Sequence, residues 1–465
     1  GLEALAAQRA SKIQGEVHLA SRQGMQASFG DRRPSQWPLP WLRAALVQRL
    51  RALLLTAAER LAGLALALPG GSAGEAAALR RRLREAEDRV ASTEVELTAQ
   101  LCRSPSSGRR QPVRIFLDGV FDLTHFGHTN AFRQARALGD HLVVGVNSDE
   151  SVAASKGLKP VLNDLERQTA VAACRFVDEI VPGSPYIMTE EYIQELMETH
   201  GVSYFAHGDD PCLVDGRDVY EAAKRLGRFC TIPRTEGIST TDIIGRLLLM
   251  TRDHHESIIE GSEPAAQAFA SQQSQFLVTS QLLRAFSAAL PGKGSRKGRT
   301  IYIDGAWDMF HAGHAELLRK ARTLGDYLLV GVHSDAAVNE HRGSNFPIMS
   351  MHERVLSVLG CRHVDDVLLN APWFITREMI ATLQIDVVVR GTVRDCPACV
   401  AEPHDPHEVA KALGIHVQLE SELTLSIDEI VARLQSRRQE VGARFRTKQQ
   451  SEKEWYGQKH GLAPG

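Results

Sequence analysis

One 39-residue pattern occurs twice, and it narrows the fold more than any other feature of the chain. Residues 114–152 read RIFLDGVFDLTHFGHTNAFRQARALGDHLVVGVNSDESV, and residues 300–338 read TIYIDGAWDMFHAGHAELLRKARTLGDYLLVGVHSDAAV, at a constant offset of 186. Each copy is a short apolar run, a turn, an amphipathic stretch and a second apolar run, the signature of a strand–helix–strand unit. Beyond the first copy the alternation continues, with a helix expected over 164–175, a strand at EIV (179–181), a helix over 189–200 and a strand at YFAHG (204–208). That order predicts βαβ units and a parallel sheet with helices on both faces. The expected fold class is α/β, with two tandem Rossmann-like domains and an N-terminal extension.

The expected boundaries are 1–112 for the extension, 113–255 for the first domain, 256–299 for a linker, 300–436 for the second domain and 437–465 for a charged tail. The extension opens on a disordered stretch. Trp41 to Leu66 is Leu-, Ala- and Arg-rich with helical periodicity. It has three readings: a helix on a membrane surface, a targeting element, or a helix packed on its own protein or a partner. Leu79, Leu83, Ala86, Val90, Thr93 and Leu97 fall at a and d positions of a short coiled coil. The stretch Leu39 to Pro69 is broken by Arg43, Arg49, Arg51, Glu59 and Arg60, so it does not read as a membrane span. A net charge of −2 argues against nucleic acid as a partner of the whole molecule. The odd count of seven Cys without regular spacing points to a reducing compartment and free thiols.

The turn of the first copy carries His125-Phe126-Gly127-His128 at a helix start. A helix N-terminus offers unpaired N–H groups and the positive end of a dipole, so phosphate binds there. Two imidazoles three residues apart point at one spot and can hold triphosphate oxygens as the pyrophosphate charge grows. Gly127 is expected to let a ligand approach the backbone. The alternatives are a pair of structural histidines or a metal pair. Lys156 follows the second strand and can reach phosphates, or it is a solvated loop lysine. Arg234-Thr235-Glu236-Gly237-Ile238-Ser239-Thr240-Thr241 precedes an apolar run. Ser239 and Asp242 have capping-box spacing, so a second helix start stands ready for an anion, with Arg234 beside it.

These residues resemble the cytidylyltransferase family of the HxGH nucleotidyltransferase superfamily, whose second signature is matched by RTEGIST at 234–240. The tandem arrangement resembles the ethanolamine-phosphate branch of that family. Supporting stretches are HGDDPCLVDGRDVYEAAKRLGRF (207–229), SQFLVTSQLLRAFS (274–287) and NFPIMSMHERVLSVLGCRHVDDVLLNAPW (345–373). The resemblance spans about residues 113–440 and leaves the first 110 outside. It implies that CTP and phosphoethanolamine give CDP-ethanolamine and pyrophosphate with Mg²⁺, on the route to phosphatidylethanolamine. It also implies a cytoplasmic enzyme, with peripheral contact at the endoplasmic reticulum or outer mitochondrial membrane as one option and a homodimer as one oligomeric state.

By the same resemblance, Val120 and Phe121 line the nucleotide site and His125 and His128 hold the triphosphate. His207, Gly208 and Asp209 lie near the nucleotide, and Arg234, Thr235, Gly237, Ser239 and Thr240 grip ribose and phosphates. Lys156 bridges the phosphates of both substrates. Asp118 and Tyr186 match positions near the phosphoamine head, where a carboxylate and an aromatic face suit a primary ammonium; the alternatives are a loop-capping Asp and a half-buried Tyr. In the second copy, Asp304, His311, His314 and Trp373 persist, Ala306 and Trp307 stand at the positions of Val120 and Phe121 in a second nucleotide site, and Arg342 replaces Lys156. HGDD becomes Arg390-Gly391-Thr392-Val393, and SELTLSIDEIVARL (421–434) replaces the second signature without its arginine. The first domain is therefore expected to turn over substrate, and the second to bind a nucleotide or brace the first.

Outside the resemblance, Cys396, Cys399, His404 and His407 present zinc-type ligands in one Pro-rich loop. Their spacing is tighter than in common zinc modules, so the expected reading is a surface loop. Two functional alternatives remain: a choline-phosphate cytidylyltransferase, and a non-catalytic nucleotide-binding or scaffold protein, a role that stays open for the second domain alone. The tandem repeat argues against the first, and intact His125, His128, Lys156 and Arg234 argue against the second for the first domain.

Overall fold

Parallel strands buried on both faces need continuous apolar runs rather than alternation. Leu142, Val143, Val144 and Val146 form such a run and are fully buried, as are Leu328, Val330 and Val332 in the second copy. The computed structural model describes residues 112–210, 212–214, 216–235, 238–248, 282–287, 298–343, 346–393 and 404–442. The expectations for the N-terminal extension, most of the linker, the tail beyond residue 442, Gly237, Cys396 and Cys399 lie outside the described residues.

In chain order the first domain is β1 (Arg114–Gly119), α1 (Phe126–Arg136), β2 (His141–Asn147), α2 (Asp149–Lys156), α3 (Asp164–Ala172), β3 (Glu179–Ser184), α4 (Glu190–Thr199), β4 (Tyr204–Gly208), the hairpin β5 (Leu213–Val214) and β6 (Arg217–Asp218), α5 (Glu221–Arg225), β7 (Phe229–Ile232) and α6 (Thr240–Leu248). The second is β8 (Thr300–Gly305), α7 (Ala312–Arg322), β9 (Tyr327–Val332), α8 (Asp335–Arg342), α9 (Met351–Gly360), β10 (Asp366–Leu369), α10 (Arg377–Leu383), β11 (Val387–Gly391), α11 (Glu408–Ala412), β12 (His416–Leu419) and α12 (Ile427–Ser436). The sheets run β3-β2-β1-β4-β7 and β10-β9-β8-β11-β12, and all their pairings are parallel. The chain is thus two parallel-sheet α/β domains of one topology. On one face of the first sheet, Phe116, Val143 and Phe205 pack against Ile193 and Leu196 of α4 and Ala223 of α5.

Two details differ from expectation. Asp118 lies inside β1, because its peptide still pairs with Gly145 of β2, so it is a strand residue and not a loop cap. The offset between copies rises from 186 to 187 after α8, because the second copy has one more residue between the end of α8 and the next helix. Of the linker, residues 282–287 are helical, and Phe286 is fully buried against Phe176 with ring centroids 5.6 Å apart.

The domains meet about a pseudo-twofold relation. Cys174 and Cys361 form an isolated antiparallel bridge. Arg175 donates to the carbonyls of Cys361 and Val364 at 2.6 and 2.8 Å, and its counterpart Arg362 donates to those of Cys174 and Val177. Arg246 of α6 forks onto Glu353 at 2.8 and 2.9 Å, and Arg433 of α12 forks onto Glu166 at 2.7 and 2.9 Å. Paired two-pronged guanidinium–carboxylate contacts fix orientation as well as distance. Gly360 sits where α1 comes closest, since a Cβ there would lie 2.7 Å from Thr129.

Candidate active site

The loop from β1 to α1 has an unusual backbone. Phe121 and Leu123 hold φ of 52° and 47°, and Trp307 and Met309 repeat this at 54° and 46°. Left-handed conformations at bulky residues cost free energy and gather at functional sites. Asp122 stabilises the turn by accepting from the N–H groups of Val161 and Leu162 at 2.8 and 3.0 Å. Asp308 does the same for Ile348 and Met349 at 2.7 and 2.9 Å.

The turn places His125 just before α1 and His128 in its first turn, with rings 4.0 Å apart and tilted by 32°. His125 Nδ1 accepts from Gly127 N at 3.1 Å, and His128 Nδ1 from His125 N at 3.4 Å. A ring nitrogen that accepts leaves the proton on Nε2, so both neutral imidazoles present Nε2–H donors. Phe121 meets His128 edge-on at 5.6 Å. The close neighbours of Gly127 are protein: a Cβ would lie 2.9 Å from the His125 ring and 3.0 Å from Ile238. Its small size is thus required beneath the imidazole, a packing reason beside the expected close approach of a ligand.

The second signature converges on the same end of the sheet. Ser239 caps α6, accepting from Asp242 N at 3.0 Å and donating to its carboxylate at 2.7 Å. Thr235 accepts from Asn130 of α1 at 2.9 Å, and Thr240 donates to Asp122 O at 3.4 Å. Arg234 N donates to Asp209 at 3.1 Å, and its guanidinium lies 3.6 Å from Asp210. His207, at the end of β4, packs against Tyr220 with ring centroids 4.6 Å apart and planes tilted by 35°.

Asp118, near the carboxyl end of β1, is buried, only 4% exposed. Tyr220 donates to it at 2.9 Å and Asn147 at 3.4 Å. Burial pushes its carboxyl above the usual carboxylate range, opposed by His207, Tyr220 and Asn147. Lys156 ends α2 with its ammonium 4.4 Å above the Tyr186 ring. The Tyr186 hydroxyl lies 3.6 Å from Cys212, whose thiol is pushed up by burial and feels Lys156, Asp118 and Asp210. Val120, Phe121, His125, His128, Lys156, Asp118, Tyr186, His207, Gly208, Asp209, Arg234, Thr235, Ser239 and Thr240 thus gather at the carboxyl ends of β1, β2 and β4, as open α/β sheets favour.

Sequence reasoning missed Tyr220, Asn147, Asn130, Asp122 and Arg167. Arg167 is fully buried on α3 and donates to the carbonyls of Leu162, Val120 and Asn147 at 3.2, 2.6 and 2.8 Å, joining the loops that hold the site. Asp122 and Arg167 recur as Asp308 and Arg354, a signal the repeat itself carried. Asn130 and Tyr220 act over separations of 105 and 102 residues and left no local mark.

The second copy is rebuilt around the same frame. His311 and His314 stack at 3.9 Å, and Trp307 replaces Phe121 beside His314 at 5.3 Å. Ala306 is buried, and Arg342 ends α8 where Lys156 ends α2. Arg390, which precedes Gly391 in β11, lies 3.6 Å from Asp405. Trp373 takes the place of Tyr186 and stacks on His341 at 4.1 Å. His407 takes the place of Tyr220, with Nε2 3.4 Å from Asp304. It is buried, so the surface-loop reading of that residue is corrected: the carboxylate of Asp304 draws it inward. Ser426 caps α12 as Ser239 caps α6, and counting back from it places Ser421 where Arg234 stands. Among the described residues no three His, Cys, Asp or Glu side chains are grouped to hold a metal ion, and no helix is long and apolar enough to cross a membrane.

A parallel sheet with a His-x-Gly-His helix start facing a second capped helix defines a nucleotidyltransferase-type site. The family model described as cytidylyltransferase-like matches residues 116–246 and 302–439. An ethanolamine-phosphate cytidylyltransferase of Arabidopsis thaliana is 45% identical over 369 residues, covering 76% of this chain and 87% of that protein. One of Mus musculus is 39% identical over 378 residues, covering 74% and 91%. A choline-phosphate cytidylyltransferase of Saccharomyces cerevisiae is 39% identical over only 180 residues, 36% of this chain and 41% of its own length. The chain belongs to the ethanolamine-phosphate cytidylyltransferase family.

Proposed function

We propose that the first domain transfers CMP from CTP to phosphoethanolamine, giving CDP-ethanolamine and pyrophosphate. One observation carries the reading: a cluster of anion-holding groups stands at the same end of the sheet as the buried carboxylate of Asp118. A phosphomonoester oxygen attacks the α-phosphorus of CTP in line as the bond to the β-phosphate oxygen breaks. The chain's work is positioning and charge stabilisation. His125 and His128 donate Nε2–H to the departing pyrophosphate, Lys156 bridges attacking and attacked phosphates, and Arg234, Thr235, Ser239 and Thr240 hold the nucleotide. Asp118 and Tyr186 receive the ammonium, and a primary ammonium can donate to the buried carboxylate where a trimethylammonium cannot. Imidazole, ammonium and guanidinium suit phosphate oxygens rather than a hard cation, so Mg²⁺ is assigned to the oxygens of CTP, where it supplies charge neutralisation.

For the second domain we infer nucleotide binding or bracing without turnover. His311 and His314 support binding, while His407 against Asp304 and Ser421 in place of Arg234 argue against chemistry. The amphipathic Trp41–Leu66 supports peripheral membrane contact of a cytoplasmic enzyme, which flotation with vesicles resembling the endoplasmic reticulum or outer mitochondrial membrane tests. The reaction itself is tested by CTP-dependent pyrophosphate release with phosphoethanolamine against phosphocholine. Phosphoethanolamine is expected to win, and the reverse preference overturns the substrate assignment.

A further inference from the structure

The segment from Gly157 to Asn163 joins Lys156, the last residue of α2, to the cap of α3. Its backbone is held from two sides. From the first domain, Asp122 accepts from Val161 N and Leu162 N. From the second domain, α12 and the residue after it reach across. Arg433 donates to Val161 O at 3.3 Å while forking onto Glu166, the residue whose carboxylate also closes the α3 capping box. Arg437 donates to Pro160 O at 3.1 Å and to Lys159 O at 2.8 Å.

The Arg433 contacts have a mirror image: Arg246 forks onto Glu353 and donates to Ile348 O at 3.3 Å. For Arg437 the sequence offers no counterpart arginine. The position 187 residues before it is Met250, which has no guanidinium. At this position the pseudo-symmetry is therefore broken, and the added cation grips the loop behind Lys156, with Glu440 of its own segment 3.8 Å away. We propose that Arg437, with Arg433, is a positioning residue of the second domain that holds the Lys156 loop in register for transfer. This rests on the assignment of Lys156 to the phosphates. A lysine that must meet two phosphates at once gains from a fixed backbone, since misplacement by about 1 Å can cost on the order of a hundredfold.

The test uses the full chain carrying Arg437→Ala, Arg433→Ala with Arg437→Ala, Lys156→Ala, Lys156→Ala with Arg437→Ala, and the mirror variant Arg246→Ala. Arg437→Ala is expected to lower kcat about tenfold or more, with CTP affinity by calorimetry kept within about twofold. Arg437→Lys should recover part of the loss, because an ammonium still donates to a carbonyl. In the Lys156→Ala background, adding Arg437→Ala should cost less than about twofold, since both residues act through one step. Arg246→Ala should cost only a few-fold. An unchanged kcat in Arg437→Ala, full multiplicative loss in the Lys156→Ala background, or an Arg246→Ala defect as large as that of the double arginine variant overturns the clamp and leaves the Lys156 reading standing. Near-normal turnover by Lys156→Ala removes that reading and the clamp with it. Should the double variant fail to fold by thermal melting, Arg437→Gln, which removes the charge and little bulk, carries the same comparison.

Discussion

His125 and His128 are locked before any ligand arrives, because each ring gives its Nδ1 to a backbone N–H. Groups held this way need no reorganisation when charge develops, and that is why single donors of this kind matter. His128→Ala is expected to lower kcat by on the order of a hundredfold to a thousandfold, read from initial rates of pyrophosphate release. Near-normal rates would remove the first domain from the chemistry. Asp118 gives a second prediction, in pH. Burial raises its folded pKa, so the carboxylate proposed to receive the ammonium is lost as pH falls through that raised value. Tyr220→Phe deletes a hydrogen bond that favours the charged form, so the pKa rises further. The acid limb of kcat/KM for phosphoethanolamine should then move to higher pH than in the parent. Substrate ionisation is common to both enzymes, so an unmoved limb would detach Asp118 from recognition of the amine.

Among the elements, helix and strand identity was legible wherever a run was long and periodic, and boundaries moved by at most three residues. The expected helix over 164–175 is α3 at Asp164–Ala172, which stops where the chain turns to form the Cys174–Cys361 bridge. The helix start at Ser239 was readable because a cap is a local device, with hydroxyl and acceptor three residues apart. The ties between elements were not readable, because they are set by three-dimensional closeness. Arg167 shows this best: in sequence it is one charge on a polar helix, and in the fold it is buried and satisfied by carbonyls from three segments and the carboxylate of Asp149 at 2.7 Å. Removing one member of such a network leaves the others buried without partners. Arg167→Leu is expected to destabilise the first domain by about 3–5 kcal/mol in urea unfolding. A loss within about 0.5 kcal/mol, the range of an ordinary surface substitution, would show that the loops hold one another without it.

At the scale of the molecule, one topology used twice has diverged at the places where the chemistry is read. Both copies keep the strained turn, the stacked imidazoles and the buried arginine, which are the parts that build a nucleotide cradle. They differ where the second substrate and the second signature belong. In the second copy an imidazole, His407, leans on Asp304, and Ser421 stands in the position of Arg234, the residue proposed to grip the phosphates. An arginine missing from a polyphosphate clamp removes a charge-assisted, two-pronged contact that serine cannot replace. His314→Ala should therefore cost the full-length enzyme no more than about tenfold in kcat, well short of the loss on the order of a hundredfold or more expected for His128→Ala. The effect should fall instead on nucleotide binding to the second domain, seen by calorimetry with CTP as a loss of one class of sites with the other kept. Equal kcat losses from the two substitutions would mean that both cradles carry turnover, and the asymmetry drawn from His407 and Ser421 would have to be given up.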